Sequence, residues 1–129
     1  MKRYLFPFIM VTLLLLTGCA GDNMSENSYT MITQDAAKEM MDTQDVIILD
    51  VRELDEYQSG HIVDAVLLPV GTITEETASA VIPQKDSVVL VYCRSGNRSK
   101  TASAALVDLG YTNVYEFGGI NSWPYEIET

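Results

Sequence analysis

A cysteine followed by two arginines in a short polar segment is the part of the chain best suited to chemistry. The residues that follow Cys93 are, in order, Arg94, Ser95, Gly96, Asn97, Arg98 and Ser99. Backbone N–H groups of such a glycine-containing loop can converge on an anion, and a helix beginning after it adds positive potential. With the charges of Arg94, Arg98 and Lys100, they favour a thiolate over a thiol. The segment therefore predicts a nucleophilic Cys93 with a lowered pKa, the alternative being an inert buried cysteine at a strand end.

Two hydrophobic periods alternate along the chain and predict the elements that position this loop. Apolar or β-branched runs predict strands over 46–50, 65–68, 88–92 and 113–117. Helical spacing and end signals predict helices over 33–41, 53–59, 74–81, 99–109 and 120–123, with a turn at Gly118 and Gly119. This alternation predicts an α/β domain with a mainly parallel sheet. Ligands of such sheets bind beyond the carboxyl ends of the strands, where Asp50 and Tyr92 stand.

Composition narrows the possible functions. The chain has 129 residues, 47% of them hydrophobic, which suits one domain with a real core. A formal net charge of −10 argues against a nucleic-acid partner, which needs a basic surface. Two cysteines and one histidine exclude a disulfide-rich scaffold, a four-cysteine zinc site and most histidine-based metal centres, so we expect no metal.

The first 18 residues are predicted to be a lipoprotein signal peptide. Lys2 and Arg3 precede a mostly apolar run over 4–16, which is shorter than the roughly 20 residues of a membrane span. The run ends in Leu-Thr-Gly-Cys, which resembles a bacterial lipobox and implies cleavage before a lipidated Cys19. An uncleaved anchor helix and an ordinary signal peptide are the alternatives. We expect a flexible tether over 19–30 and a domain over 31–129, held on the extracytoplasmic side of a bacterial membrane.

Processing at this position changes both the charge and the thiol chemistry of the chain. It removes two basic residues and no acidic one, so the net charge changes from −10 to −12. With Cys19 lipidated, Cys93 is left as the only free thiol, and no intramolecular disulfide can form.

The chain resembles single-domain rhodaneses from about residue 33 to residue 123. Four segments carry the resemblance: Asp50-Val51-Arg52-Glu53, Gly60-His61-Ile62, the loop from Cys93 to Ser99, and Gly118-Gly119 with Trp123. It implies a rhodanese-like fold, with a mainly parallel five-stranded sheet and helices on both faces. It also implies sulfur transfer, in which Cys93 takes the outer sulfur of a small anionic donor such as thiosulfate and carries it as a persulfide. The acceptor would be cyanide, a thiol or a protein, and no cofactor beyond the covalent persulfide is implied.

Loop length separates this chemistry from dephosphorylation. Phosphatase-like relatives have a loop one residue longer, with arginine six positions after the cysteine, where it holds phosphate by a bidentate fork. Here the sixth position is Ser99, and the arginine, Arg98, is fifth. The count favours sulfur transfer over phosphatase or arsenate reductase activity. A module that carries persulfide or docks a partner with little turnover is the other alternative.

Four further residues have predicted supporting roles. Asp50 is expected to accept loop N–H groups or to pair with an arginine. Arg52 is expected to pair with a local carboxylate, such as Glu53, Asp55 or Glu56, and a direct role in binding substrate is the alternative. Lys100 is expected to add positive charge near Cys93. His61, the only histidine, is expected to make a structural hydrogen bond to neighbouring backbone rather than to act as a base.

The lipid anchor can be tested by substituting one residue. Because the lipid is expected on the sulfur and new amino terminus of Cys19, a Cys19→Ala variant should lose acyl labelling and membrane retention. Metabolic labelling with a fatty acid and membrane fractionation measure both, with Cys93→Ala as the matched control that should remain labelled. Unchanged labelling and retention of Cys19→Ala would show that the anchor lies elsewhere.

Overall fold

The computed structural model describes residues 28–129, and a parallel sheet lies at the centre of this part of the chain. The strands are β1 (Thr30–Met31), β2 (Ile47–Asp50), β3 (His61–Ile62), β4 (Val66–Leu67), β5 (Val88–Cys93), β6 (Asn113–Gly119) and β7 (Ile127–Glu128). Five of them form the main sheet in the order β1-β6-β5-β2-β4, and all its neighbouring strands are parallel. The other two, β3 and β7, form a small antiparallel pair.

Helices follow the strands and cover both faces of the sheet. They are α1 (Gln34–Thr43), α2 (Leu54–Ser59), α3 (Glu75–Val81) and α4 (Asn97–Asp108). Short 3₁₀ turns occupy Val70–Thr72 and Ile120–Ser122. The side chains of Thr33 and Thr74 accept backbone N–H groups at the starts of α1 and α3, which explains why these helices begin there.

Alternation along the central strands divides the core into two apolar layers. Leu49, Val89 and Val91 face one side of the sheet, where they pack in a cluster with the α4 side chains Ala102 and Leu106. The intervening residues face the other side, where Ala37 of α1 joins the cluster; these include Ile48, Leu90, Tyr92 and Phe117. Because both faces are apolar, the strands read as continuous hydrophobic runs in the sequence.

The α/β class and the five-stranded parallel sheet are confirmed, whereas two local predictions are wrong and one pair of strands was not predicted. The antiparallel pair was not predicted, because two-residue strands carry no detectable period. Gly118 and Gly119 belong to β6 rather than to a turn, since β6 continues past an irregularity in its register to pair Gly119 with Cys93. Helix α4 begins at Asn97, two residues earlier than predicted, because left-handed Gly96 already turns the chain.

The beginning of the domain is only partly described. The predicted signal peptide and residues 19–27 of the predicted tether lie outside the described residues. Thr30, the last residue of that predicted tether, already belongs to β1 and pairs with Tyr115 of β6, so ordered chain begins before the predicted boundary at 31. Within residues 28–129, no helix has the length and apolar character needed to cross a membrane.

Contact between Gly119 and the cysteine loop is tight enough to exclude any side chain. A Cβ atom built on Gly119 would lie 2.0 Å from the carbonyl oxygen of Arg94. Gly119→Ala should therefore lower the free energy of unfolding by about 1–3 kcal/mol, as overpacking does in a close-packed interior. Urea denaturation measures this, with Gly71→Ala as control, because a Cβ at Gly71 meets nothing within 4 Å. Equal unfolding midpoints for the two variants would contradict the tight contact.

Candidate active site

Cys93 lies at the carboxyl end of β5, with only 1% of its surface exposed. The loop that follows folds over the sulfur. The N–H of Gly96 donates to Cys93 Sγ at 3.0 Å, and the hydroxyl oxygen of Ser99 lies 3.4 Å from the same sulfur. Gly96 has a φ of 104°, which an L side chain rarely adopts, so glycine is needed where the loop enters α4. The loop and the first turn of α4 therefore surround one buried sulfur atom with hydrogen-bonding groups.

Those hydrogen bonds make the thiol more acidic. Burial alone raises the pKa of Cys93, but bonds from the Ser99 hydroxyl and from the backbone N–H groups of Ser99, Gly96 and Ser95 outweigh it. The net result is a pKa below the usual value for cysteine, the direction predicted from the sequence. The backbone N–H groups are among the causes predicted from the sequence, whereas the contribution of the Ser99 hydroxyl was not predicted.

Arg98 connects the loop to α2, because its guanidinium binds an acid of that helix. Its two terminal nitrogens bind Glu56 at 2.7 and 2.8 Å, a bidentate ion pair between α4 and α2. Glu56 also accepts the backbone N–H of Glu53 at 2.9 Å, which caps α2. The hydrogen bonds from Arg98, opposed by burial, lower the pKa of Glu56 to about 2. Arg98 therefore anchors the loop to an acid on α2.

Asp50 and Arg52 form a buried ion pair at the end of β2, in contact with Tyr92. Arg52 donates from Nη2 to Asp50 Oδ2 at 2.7 Å and to the carbonyl of Gly60 at 2.7 Å. The Tyr92 hydroxyl donates to Asp50 Oδ2 at 2.6 Å and accepts the N–H of Ile62 at 3.0 Å. Burial, followed by the hydrogen bond to Asp50, raises the pKa of Tyr92. This network fixes the residue immediately before Cys93.

The structure corrects the predicted partner of Arg52. Neither Glu53 nor Asp55 binds it, because both are exposed at the start of α2, and Glu56 binds Arg98. Asp50, for which either loop N–H groups or an arginine were expected, pairs with Arg52. Neither residue hydrogen-bonds to the loop, so they support the site through Tyr92 and the strand ends.

The remaining predicted residues lie around the loop rather than over the sulfur. Exposed positions are Arg94, Ser95, Asn97 and Lys100. Arg94 and Arg52 line an open depression of about 450 Å³, together with Glu56 and Asn121. His61 has the structural role predicted for it: its Nδ1 lies 2.9 Å from the carbonyl of Tyr57, and its ring stacks on the Tyr57 ring.

Glu116 is a site residue that the sequence analysis missed. It lies on β6 with 2% of its surface exposed, and its Oε1 accepts the Ser99 hydroxyl at 2.6 Å and the N–H of Gly118 at 2.8 Å. The sequence feature that could have revealed it is the alternation of side chains along a strand. Val114 faces the buried α4 side of the sheet, and Glu116, two positions later, faces the same side. An acid in a buried row of a strand needs partners, and here the partners belong to the loop and to β6.

The Glu56–Arg98 pair predicts a specific pH dependence of stability. Because folding lowers the pKa of Glu56, the pair stabilises the fold above the unfolded pKa of about 4.3 and this contribution is lost as the pH falls towards 2. Glu56→Gln should therefore be less stable than the wild type at pH 7, with the difference vanishing near pH 2. Urea denaturation across this range measures it. Asp42→Asn, which breaks an exposed pair with Lys38, is the control with little expected effect. A Glu56→Gln difference independent of pH would contradict the assignment.

The amino-acid sequence is similar to a protein family and to named relatives. A family model described as the rhodanese-like domain matches residues 33–125. The thiosulfate sulfurtransferase GlpE of Coxiella burnetii is 34% identical over 96 residues, covering 74% of this chain and 87% of the relative. The thiosulfate sulfurtransferase PspE of Escherichia coli is 39% identical over 72 residues, covering 56% of this chain and 68% of the relative.

Solved structures show the same similarity. A rhodanese-related protein from Thermoplasma volcanium superposes with a TM-score of 0.64 at 31% identity, covering 78% of this chain and 98% of that one. A rhodanese from E. coli solved with anions gives a TM-score of 0.62 at 29% identity, covering 66% and 99%. Since the family match extends from α1 through the sheet, the cysteine loop and α4, this chain belongs to the family of rhodanese-like domains.

Proposed function

We propose that this protein is a sulfurtransferase that moves sulfane sulfur from a small anionic donor to a thiophilic acceptor through a persulfide on Cys93. The observation that carries the proposal is the placement of one buried sulfur under a loop whose N–H groups point at it. Such a site favours the thiolate needed for attack and stabilises the anion that replaces it. The names of the sulfurtransferase relatives support thiosulfate as a representative donor.

The reaction balances with Cys93 as the only covalent carrier. The thiolate attacks the outer sulfur of thiosulfate, the sulfur–sulfur bond of the donor breaks, and sulfite leaves with the bonding electron pair. Cys93 then holds a persulfide anion. An acceptor such as cyanide or a thiolate attacks the outer sulfur, and the Cys93 thiolate leaves and is restored. No added cofactor is needed in this cycle, and its two half-reactions give ping-pong kinetics.

The arginine geometry supports sulfur transfer over phosphate chemistry. A phosphatase arginine presents its guanidinium to the phosphate as a bidentate fork. In this loop both terminal nitrogens of Arg98 are already bound by Glu56. Arg94 is exposed beside the open depression and makes no ion pair among residues 28–129, so it can attract an anionic donor. We therefore assign Arg94 to donor recruitment and Arg98 to holding the loop.

The proposal includes the cellular position of the domain. A lipid on Cys19 would hold the domain on the extracytoplasmic side of a bacterial membrane, where its donors and acceptors must be found. The acceptor would be cyanide, a thiol or a protein that presents a thiol. A net charge of −10 for the whole chain disfavours nucleic acid as a partner.

Activity should depend on Cys93 alone among the thiols. Mixing the wild-type protein with thiosulfate and cyanide should produce thiocyanate, and Cys93→Ser should abolish it, because serine forms no persulfide. Intact-mass spectrometry after treatment with thiosulfate should show a gain of one sulfur atom in the wild type and none in the variant. Cys19→Ala, assayed in detergent, is the matched control and should keep full activity.

Three outcomes would change the proposed nucleophile or the proposed function. Thiocyanate formation that survives Cys93→Ser would overturn the assignment of the nucleophile. A wild type that gains sulfur but yields little thiocyanate would indicate a carrier rather than an enzyme. A wild type that gains no sulfur from any donor and hydrolyses p-nitrophenyl phosphate through Cys93 would replace sulfur transfer with phosphatase chemistry.

A further inference from the structure

We propose that Glu116 is a positioning residue that receives the thiol proton of Cys93 through the hydroxyl group of Ser99. The inference concerns how the nucleophile is generated, and its use in catalysis rests on the proposed sulfur transfer. Three groups form the path: Cys93 Sγ, Ser99 Oγ at 3.4 Å from it, and Glu116 Oε1 at 2.6 Å from that hydroxyl oxygen. All three residues are buried.

The direction of the hydrogen bonds follows from the proton count. A serine hydroxyl has one proton to donate and two lone pairs with which to accept. Ser99 Oγ is 2.6 Å from Glu116 Oε1 but 3.4 Å from both Cys93 Sγ and the carbonyl of Gly118. The short distance is typical of a hydroxyl donating to a carboxylate, so the Ser99 proton points to Glu116. The oxygen lone pair that remains faces Cys93, whose S–H donates to it.

This arrangement allows a balanced double proton shift. The Cys93 proton moves to Ser99 Oγ as the Ser99 proton moves to Glu116 Oε1, and no heavy-atom bond changes. The products are a Cys93 thiolate, an unchanged neutral Ser99 and a neutral Glu116. The Ser99 hydroxyl now donates to the thiolate, and the protonated carboxyl donates to Ser99.

Burial makes the shared proton favourable. Two negative charges held together in a buried pocket repel each other strongly, whereas one charge that moves between carboxylate and sulfur avoids this cost. The pocket carries one negative charge in each of three states. In the first, Cys93 is a thiol and Glu116 is ionised. In the second, Cys93 is a thiolate and Glu116 is neutral, and in the third, Cys93 carries the persulfide anion and Glu116 is neutral. The backbone N–H of Gly118 holds Glu116 in place throughout, by donating to Oε1 at 2.8 Å.

Few other charged groups bear on Glu116 from the elements packed around β6. On the β5 side the ionisable group is Cys93. Helix α4 contributes Ser99 and Arg98, and the guanidinium of Arg98 is bound by Glu56. Strand β1 contributes Thr30 and Met31, and α1 places the uncharged amide of Gln34 beside Gly119. Cys93 and Glu116 are therefore the two ionisable groups that the Ser99 hydroxyl joins in this pocket.

The test is the pH dependence of Cys93 alkylation by iodoacetamide, which requires thiolate but no sulfur transfer. In the wild-type protein the rate of Cys93 alkylation should rise in two steps as the pH increases. The first proton lost from the pair exposes part of the sulfur as thiolate, and loss of the shared proton exposes the rest. Glu116→Gln keeps the size and the hydrogen-bonding oxygen but cannot ionise, so its profile should collapse to one step. Glu39→Gln, on the exposed side of α1, should keep both steps.

A second variant keeps the test decisive if Glu116→Gln fails to fold. Ser99→Ala removes the bridge but leaves the acid, so the low-pH step should disappear and alkylation between the two wild-type steps should slow by about tenfold or more. Infrared difference spectra provide an independent signature. Persulfide formation should remove the S–H band and add a protonated-carboxyl band, and Glu116→Gln should lack the second.

The outcomes separate this inference from the proposed function. A one-step wild-type profile, or a two-step profile that survives Glu116→Gln, would overturn the proton path. A loss of thermal stability in Glu116→Gln with the number of steps unchanged would reduce Glu116 to a purely structural residue. A two-step profile in a protein that makes no thiocyanate would retain the proton path and remove the sulfurtransferase proposal.

Discussion

A sulfur atom withdrawn from water can hold a negative charge only where hydrogen-bond donors replace the lost solvent. At Cys93 the donors come from the loop at Ser95 and Gly96 and from the first turn of α4 at Ser99, whose hydroxyl also binds the carboxylate of Glu116 on β6. Most of the architecture can be understood as keeping these places in register. The parallel pairing of β5 with β6 brings them to one edge of the sheet, and glycine at position 119 lets the loop lie directly against β6.

Two ion pairs hold this edge in different ways. Glu56 and Arg98 connect α2 to α4 near the surface, where a bidentate contact restricts the loop. Asp50 and Arg52 are buried and, through Tyr92, hold the end of β5 from the opposite face of the sheet. Breaking one partner of the buried pair would leave an uncompensated charge, which is far more costly than losing an exposed pair. The positive charge of the site is thus largely used to fix the scaffold around the thiol.

The sequence predicted the parts of the molecule that depend on local chemistry. Continuous apolar runs revealed β2 and β5, and glycine, cysteine and two arginines in seven positions revealed the loop. What it did not reveal depends on contacts between distant segments. Arg52 has several acids nearby in sequence, and only the folded chain shows that Asp50 binds it. Glu116 looked like one polar residue in a short strand, and its importance appears only when α4 places Ser99 beside it.

The close approach of Gly119 to the Arg94 carbonyl also has a consequence for how such sequences diverge. At 2.0 Å from a hypothetical Cβ, the loop leaves no room for gradual substitution at position 119. Any substitution of Gly119 must be accompanied by a shift of the loop. Any insertion that enlarges the loop changes which side chains fit at this position of β6. The two segments therefore accumulate changes jointly. A strict glycine at the end of β6 and a loop of fixed length are expected to be inherited together, as one evolutionary unit.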